Sequence, residues 1–534
     1  MSSAPSAKPA VTKSNSYDEV PYPSASFPQS HPRRVAGMAR LFGLMAPTPG
    51  KARVLELGCA DGANLLPMAE QMPEARFLGI DFSAVQVEAG RKAIEAAGLT
   101  NVELRHQNIL DFPASEGKFD YIIVHGIFSW VPQPVREKIL AICAEHLTEK
   151  GVAYISYNAL PGWNMRRTIR DIMLFHTSAV KDPVARVGHA RQLLKFLSDS
   201  VPTENNAYGI LLKAELELIS KVADNYLLHD YLEEENTAFY FHEFVGQASK
   251  HGLQYLGETS LSLMLATNFP ESVSKPLASL GHIVAQEQYM DYLRNRMFRQ
   301  TLLCRVNNPL VRNVTSERVT EMAFQSLLNA PTQPVDLTAG VSVAFPTSTG
   351  QQINASDPFL KSVLQVLSES GAQVLPFPAI LEAARARSRP LLGTLPPNQG
   401  DVEHATLVAN LLNLYSKGFL EVWAEPIATR ADAPEKPLVS ALVRHQAKAS
   451  RYLTNRLHTP LPADPVARSV VALCDGTRTE SEIVDGIVTD VIGGRLNVQE
   501  NGAAVTDPAR LRTLLAPQVQ KVIQTLARAG YYAP

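Results

Sequence analysis

From Arg53 onward the chain alternates short apolar runs with amphipathic helical patterns, which restricts this region to a parallel sheet wrapped by helices. The runs predict strands at 53–57, 76–80, 101–105, 119–124 and 151–157, with helices between them at 62–71, 83–97 and 134–147. Pro134 opens the last helix, in the first turn where a missing N–H is tolerated. Parallel strands deliver their C-terminal ends, and the loops that leave them, to one edge of the sheet, and ligand-binding residues are sought there.

The first such loop reads Glu56-Leu57-Gly58-Cys59-Ala60-Asp61-Gly62-Ala63-Asn64 and runs into a helix. Its glycines allow a sharp turn and a close backbone approach to a ligand, and the helix offers free N–H groups to a carboxylate. The G-x-x-x-G spacing differs from the G-x-G-x-x-G of a dinucleotide site, so a nicotinamide enzyme is the weaker reading. Asp81 ends the second strand, in FLGIDFS, where its carboxylate can accept both hydroxyls of an adenosine ribose. Asn108 and Ile109 follow the third strand, placed to read an adenine edge and cover its face.

These residues resemble those of the class I S-adenosylmethionine-dependent methyltransferases, through VLELGCADGANLL, FLGIDFS and FDYIIVHGIFSWVP; Asn108 stands where many members carry Asp. The segments SYDEVPYPSASFPQSHP, YISYNALPGWN, HDYLEEENTAFYFHEF and YLRNRMFRQTLLC narrow the resemblance to the family that carries a methyltransferase regulatory domain, which includes the rickettsia-type outer-membrane protein lysine methyltransferases. The resemblance covers roughly 16–310 and continues more weakly beyond. It implies S-adenosylmethionine as cofactor, held by Tyr17, Glu56, Gly58, Cys59, Ala60, Gly62, Asn64, Asp81, Phe82, Asn108, Ile109 and His125. It also implies a protein substrate, of which an outer-membrane or surface protein before export is one candidate, and it admits a homodimer.

A lysine acceptor must first lose a proton, which from a pKa of about 10.4 costs roughly 4 to 5 kcal/mol at neutral pH. A desolvating aromatic pocket lowers that cost. The strand ends offer His125, Trp130, Tyr157 and Asn158 as candidate catalytic residues, and Tyr22, Phe128, Trp163, Glu233 and Glu234 as candidate substrate contacts. Several have a plainer alternative: His125 holding the turn before Gly126, the tryptophans packing, Tyr17 and Tyr22 forming a strap, and Glu233-Glu234-Glu235 making a solvated helix face. The arginines between Arg294 and Arg305 are read as one amphipathic helix paired to nearby carboxylates, in preference to a phosphate-binding surface.

With 534 residues, several cores are expected. Residues 1–15 read as a disordered tail and 16–164 as the Rossmann-like methyltransferase domain, its sheet completed by 240–265. A mainly helical regulatory or substrate domain is expected over 165–312, with helices at 166–177, 185–199 and 207–227. A polar connector with one short hairpin spans 313–356. A diverged repeat then suggests tandem winged-helix-like modules at 357–425 and 436–534. Asp357-Pro358 and Asp464-Pro465 each open a helix, and Gly418 and Gly530 each stop one before a strand-like FLEVW or YYAP. The fold class is therefore α/β with helical and winged-helix-like additions, and the polar connector makes the C-terminal modules separable from cofactor binding.

A formal net charge of -2 argues against a nucleic-acid partner. The four cysteines, Cys59, Cys143, Cys304 and Cys474, are too scattered for a zinc or redox motif, so no metal is expected. The sequence offers no membrane-spanning run and its first residues have no apolar secretion-signal centre, so a cytoplasmic location is expected. Two other readings stay open on sequence grounds: a small-molecule methyltransferase with regulatory domains, and an S-adenosylmethionine-sensing scaffold or transcriptional regulator.

Overall fold

The computed structural model describes residues 24–347, 350–391 and 396–534; Tyr17, Tyr22 and the expected tail lie outside them. Helix α1 (Pro32–Leu41) precedes the sheet, capped by the His31 ring, which accepts from the Arg33 N–H. Strands β1 (Arg53–Leu57), β2 (Arg76–Asp81), β3 (Val102–His106), β4 (Phe119–Val124) and β5 (Leu147–Asn158) run parallel. Helices α2 (Leu65–Gln71), α3 (Ala84–Ala97) and α4 (Gln133–His146) connect them. Four of the five β1 residues are buried, because α1 covers one face of the sheet and α4 the other.

Four helices follow, α5 (Trp163–Thr177), α6 (Pro183–Ser200), α7 (Ala207–Lys221) and α8 (Asp224–Leu232). They close a small core of their own around Met173, Leu194, Leu212 and Tyr231. The helix expected over 207–227 is two, broken at Val222 and Ala223. Glu233 is the C-cap of α8, and the acidic run leaves the helix instead of lining it.

After α9 (Phe241–Lys250), strand β6 (Leu253–Glu258) returns to the sheet. Helices α10 (Glu271–Ala278) and α11 (Ile283–Arg294) lead to β7 (Phe298–Arg305), which inserts antiparallel between β5 and β6. The sheet order is β3-β2-β1-β4-β5-β7-β6. This corrects the expected Arg294–Arg305 helix: α11 stops at Arg294, Asn295 turns into the left-handed region (φ 48), and the rest is an inner strand. The expected ion pairing does occur. Arg299 is fully buried and bonds Glu258 (2.8 Å), Glu287 (3.0 Å) and Asp291 (2.8 Å).

The connector holds more structure than its polarity suggests. It contains α12 (Ser316–Thr320), β8 (Ala323–Ser326) and the hairpin β9 (Val343–Pro346) with β10 (Gln352–Ala355). The buried Lys361 ammonium ties it down by donating to the carbonyls of Asp336, Thr338 and Val341 at 2.6–3.0 Å. Beyond it come α13 (Pro358–Glu369), β11 (Val374–Pro376), α14 (Phe377–Ser388), α15 (Gln399–Ser416) and β12 (Leu420–Trp423). Strand β8 sits between β11 and β12.

This unit is not separable. One continuous core runs from Val35, Met38 and Phe42, through Tyr121 and Tyr154 in the sheet, to Phe324, Val363, Leu411 and Val422. At Gly37 on α1, a Cβ would lie 3.1 Å from the Val422 side chain and 3.2 Å from the Trp423 carbonyl carbon, so glycine lets the helix approach β12 closely.

The last unit has its own core. It comprises α16 (Ala441–Ala449), β13 (Tyr452–Thr454), β14 (Pro460–Pro462), α17 (Pro465–Leu473), α18 (Glu480–Ile492), a β15 (Gln499–Glu500) and β16 (Ala503–Ala504) hairpin, and α19 (Pro508–Arg528). Asp357 and Asp464 cap their helices as read, accepting from the N–H of Leu360 and Ala467. YYAP is not a strand: Tyr531 and Tyr532 are buried in the core, and the Tyr531 hydroxyl donates to the Leu453 carbonyl. All four cysteines are buried and free, and among the described residues no helix is long and apolar enough to cross a membrane.

Candidate active site

Five parallel strand ends and one antiparallel strand start meet at the C-terminal edge of the sheet. After β1 the backbone enters the left-handed region three times, at Gly58 (φ 74), Ala60 (φ 51) and Gly62 (φ 78). Gly58 sits in the left-handed region, where other residues are strained, and a Cβ there would lie 2.4 Å from Ile127 Cδ1 and displace that side chain in the loop that follows β4. Asp81 clamps the turn: its Oδ2 accepts from the Ala60 N–H and its Oδ1 from the Ser83 N–H, both at 2.8 Å. A strained, hydrogen-bonded loop of this kind is organised before any ligand arrives.

Glu56 lies beneath that loop, 2% exposed. Its Oε1 accepts from Asn64 Nδ2 at 2.7 Å, and its Oε2 is buried without a hydrogen-bond partner among the described residues. Burial, reinforced by the charges of Asp81 and Asp61, pushes the carboxyl up to about 8 against the Asn64 hydrogen bond. A buried acceptor oxygen with no partner among the described residues fits a cationic donor such as the ammonium of an amino-acid-bearing cofactor. Cys59 is buried at the same turn, its thiol pushed up by burial and by Glu56.

Further along the edge, Phe82 is 59% exposed beyond Asp81. The Asn108 side chain accepts from the Leu110 N–H, and Ile109 is buried against the sheet. His125, after β4, is sandwiched between Phe27 (ring centroids 3.5 Å) and Tyr154 (5.8 Å), with Phe298 edge-on at 6.2 Å. Its Nδ1 lies 2.8 Å from the Tyr154 hydroxyl. Burial pushes the imidazolium down to about 3 and the Tyr154 phenol up, so tyrosine donates and His125 is a neutral acceptor at that nitrogen. A ring so placed is oriented, and poor at taking a proton near neutral pH.

The other candidates divide. Asn158 ends β5, 3% exposed, with its Nδ2 buried and unpartnered among the described residues. Tyr157 and Phe128 are core residues: Tyr157 stacks on Phe244 at 4.0 Å, and Phe128 is fully buried among Tyr157, Phe239 and Phe244. The alternation of strand side chains turns Tyr157 onto the face opposite Tyr154, where α9 covers it. Trp130 and Trp163 meet edge-to-face at 6.1 Å under the guanidinium groups of Arg170 and Arg166. Trp163 also donates to Asn236 Oδ1 at 2.7 Å, and the pair fastens α5 to the sheet edge. Glu233 Oε1 lies 3.1 Å from His229 Nδ1 at the end of α8, and Glu234 is exposed beside it.

Three residues at this edge escaped the sequence reading. Phe27 lies in the N-terminal segment, where attention went to the tyrosines. Phe298 was hidden by reading its segment as a helix. His458 comes from the last unit, and nothing local marks it: its Nε2 lies 2.8 Å from Asn64 Oδ1.

Comparison with known proteins agrees with this geometry. Residues 54–151 match a methyltransferase domain, 223–305 a predicted methyltransferase regulatory domain, and 435–531 the PKMT C-terminal winged-helix domain. An uncharacterized protein of Rickettsia prowazekii is 37% identical over 522 residues, 96% of this chain and 93% of its own length. A second from that organism is 44% identical over 248 residues, 46% of this chain and 99% of its own. The structure of PKMT2 from Rickettsia typhi in complex with AdoHcy superposes with a TM-score of 0.84 at 34% identity, covering 96% of this chain and 99% of that one. A sheet edge that leaves an acceptor oxygen for an ammonium, and relatives matched over nearly their whole length, lead to one conclusion: the chain belongs to the family of S-adenosylmethionine-dependent methyltransferases that carry a methyltransferase regulatory domain and a PKMT-type winged-helix domain.

Proposed function

We propose that the chain methylates lysine side chains of a protein substrate. The observation that carries this reading is the full-length likeness to PKMT2, winged-helix domain included. In this reading Glu56 and the loop Gly58–Asn64 hold the amino-acid end of the cofactor, Asp81 the ribose, and Phe82, Asn108 and Ile109 the adenine. The cofactor supplies a methyl group activated on a sulfonium. Phe27, His125 and Phe298 line the acceptor side with uncharged rings, which disfavour an ammonium and so favour entry of the free amine. Asn158 offers an N–H at the end of β5. Trp130 and Trp163 act through the placement of α5. Glu233 and Glu234 draw a basic acceptor segment toward this edge. The substrate class we carry forward is an outer-membrane or surface protein before export. Exposed Phe175, Val184, Phe196 and Ile210 on α5–α7 provide apolar area for a homodimer.

The test incubates the purified protein with methyl-labelled cofactor and an extract of its own cells, followed by mass spectrometry of proteins and small molecules. Label on lysine Nζ of a protein is expected. Label confined to small molecules, or to other protein side chains, overturns the lysine reading.

A further inference from the structure

One side chain of the C-terminal winged-helix domain, that of His458, reaches Asn64 in the cofactor loop. His458 lies in the turn between β13 and β14, with no exposed surface and in the left-handed region (φ 62). A non-glycine residue there costs roughly 1 to 2 kcal/mol, a cost that surrounding contacts must offset. The turn is built to hold it. Asn455 Oδ1 accepts from the N–H of Leu457 (3.0 Å) and Thr459 (2.8 Å), the His458 N–H donates to the Asn455 carbonyl (3.0 Å), and Asn455 Nδ2 anchors the turn to the Ala529 carbonyl (2.7 Å).

Because Asn64 Oδ1 can only accept, His458 Nε2 carries the proton in the 2.8 Å bond between them. The same oxygen accepts from the Phe27 N–H (2.8 Å), while Asn64 Nδ2 donates to the Ser30 hydroxyl (3.1 Å), whose own proton goes to the Phe27 carbonyl (2.9 Å). Two donors on the amide oxygen, and the Ser30 and Glu56 acceptors on its nitrogen, fix its orientation with Nδ2 toward Glu56 Oε1. Glu56 is thereby held with Oε2 in the pocket. The segment bearing Phe27 is tied to the same domain, since the Ser26 hydroxyl lies 3.1 Å from that of Thr454 on β13.

We propose that His458 is a positioning residue of the cofactor site: by fixing the Asn64 amide it sets the Glu56 carboxylate for the amino-acid end of S-adenosylmethionine, making the winged-helix domain part of that site. The inference rests on the reading of Glu56 and Asn64 given above. One neutral hydrogen bond sets the scale, about three- to tenfold in affinity.

The experiment uses the full chain with His458→Leu, His458→Gln, Asn64→Ala and the Asn64→Ala/His458→Leu double variant. Calorimetry gives the S-adenosylhomocysteine affinity, and steady-state kinetics separates the cofactor KM from kcat. The expected result has His458→Leu weakening binding and raising KM about three- to tenfold with kcat little changed. His458→Gln, which can present an N–H to the same oxygen, restores most of the loss. The double variant binds no more weakly than Asn64→Ala alone. Equal losses in the Leu and Gln variants would mean the ring only packs, and unchanged affinity in His458→Leu while Asn64→Ala weakens binding would remove the connection; either overturns the proposal. Unchanged affinity in Asn64→Ala would overturn the cofactor-site reading itself, and the inference with it.

Discussion

Glu56 carries the sharpest electrostatic consequence of the fold. Its carboxyl sits at about 8 in the folded protein against an ordinary 4.5, so the folded state binds that proton more tightly than the unfolded chain. Its contribution to stability is complete below the unfolded value and is lost as pH rises through the folded one. Pairing Oε2 with the cofactor ammonium favours the carboxylate and cancels that loss. The melting-temperature gain from S-adenosylhomocysteine should therefore grow between about pH 6 and about pH 8. A gain independent of pH would mean that Glu56 does not meet the ammonium. Asp81→Ala removes its charge-assisted bonds to the loop and the ribose contact proposed for it, and calorimetry should register at least about tenfold weaker binding. His125 differs, because its proton equilibrium lies far below neutrality. If the acceptor is a lysine, the methylation rate should rise nearly tenfold per pH unit below the amine pKa. His125→Gln should lower that rate by one factor at every pH, and a slope altered near neutrality would restore a proton-accepting role to the ring.

Among the elements, β7 is the one whose sequence misleads. Its residues alternate around Arg299, yet the surrounding arginines suggest a helix with a charged face. Nothing local reveals that β6 and α11 supply Glu258, Glu287 and Asp291 to a buried cation on the penultimate strand of the sheet. Arg299→Met leaves these buried carboxylates without their shared partner, a change on the order of 3 to 5 kcal/mol. Urea unfolding should show that loss, and a change under about 1 kcal/mol would mean water reaches the network. The parallel strands and the loop from Glu56 to Asn64 were legible because local patterns specify them: apolar runs bounded by glycine, and a carboxylate at the next strand end. The Asp-Pro helix starts were legible for the same reason, since a cap is a local event. Tyr157 was misplaced by one step of strand alternation, which decides between the ligand edge and the core. Phe27 and His458 depend on distant contacts that periodicity does not encode.

At the scale of the whole molecule, the cores divide the chain differently from its composition. The polar stretch 313–356 looks like a linker, but β8 within it is the central strand of the sheet that α1 packs against. Ion pairs Arg33 to Glu425 (2.8 Å) and Arg34 to Glu421 (2.5 Å), and the Ala424 N–H to Arg33 carbonyl bond (2.8 Å), seal that contact. A chain ending at Arg312 would leave Val35, Met38 and Phe42 facing water where Phe324, Val422 and their neighbours had covered them. Each such side chain contributes about 1.5 to 3 kcal/mol when buried, so losing several is comparable with the 5 to 15 kcal/mol by which proteins are ordinarily stable. Such a shortened chain should therefore aggregate or melt without cooperativity, as read by size-exclusion chromatography and thermal unfolding. The winged-helix domain keeps a core of its own, so a chain lacking only the residues after about 433 retains the shared core and should melt cooperatively while binding S-adenosylhomocysteine more weakly. The pair of measurements separates two ways in which a C-terminal region can matter, completing a core or completing a site. A chain ending at Arg312 that melts cooperatively and binds S-adenosylhomocysteine as tightly as the full protein would show that the shared core is not needed to hold the cofactor edge.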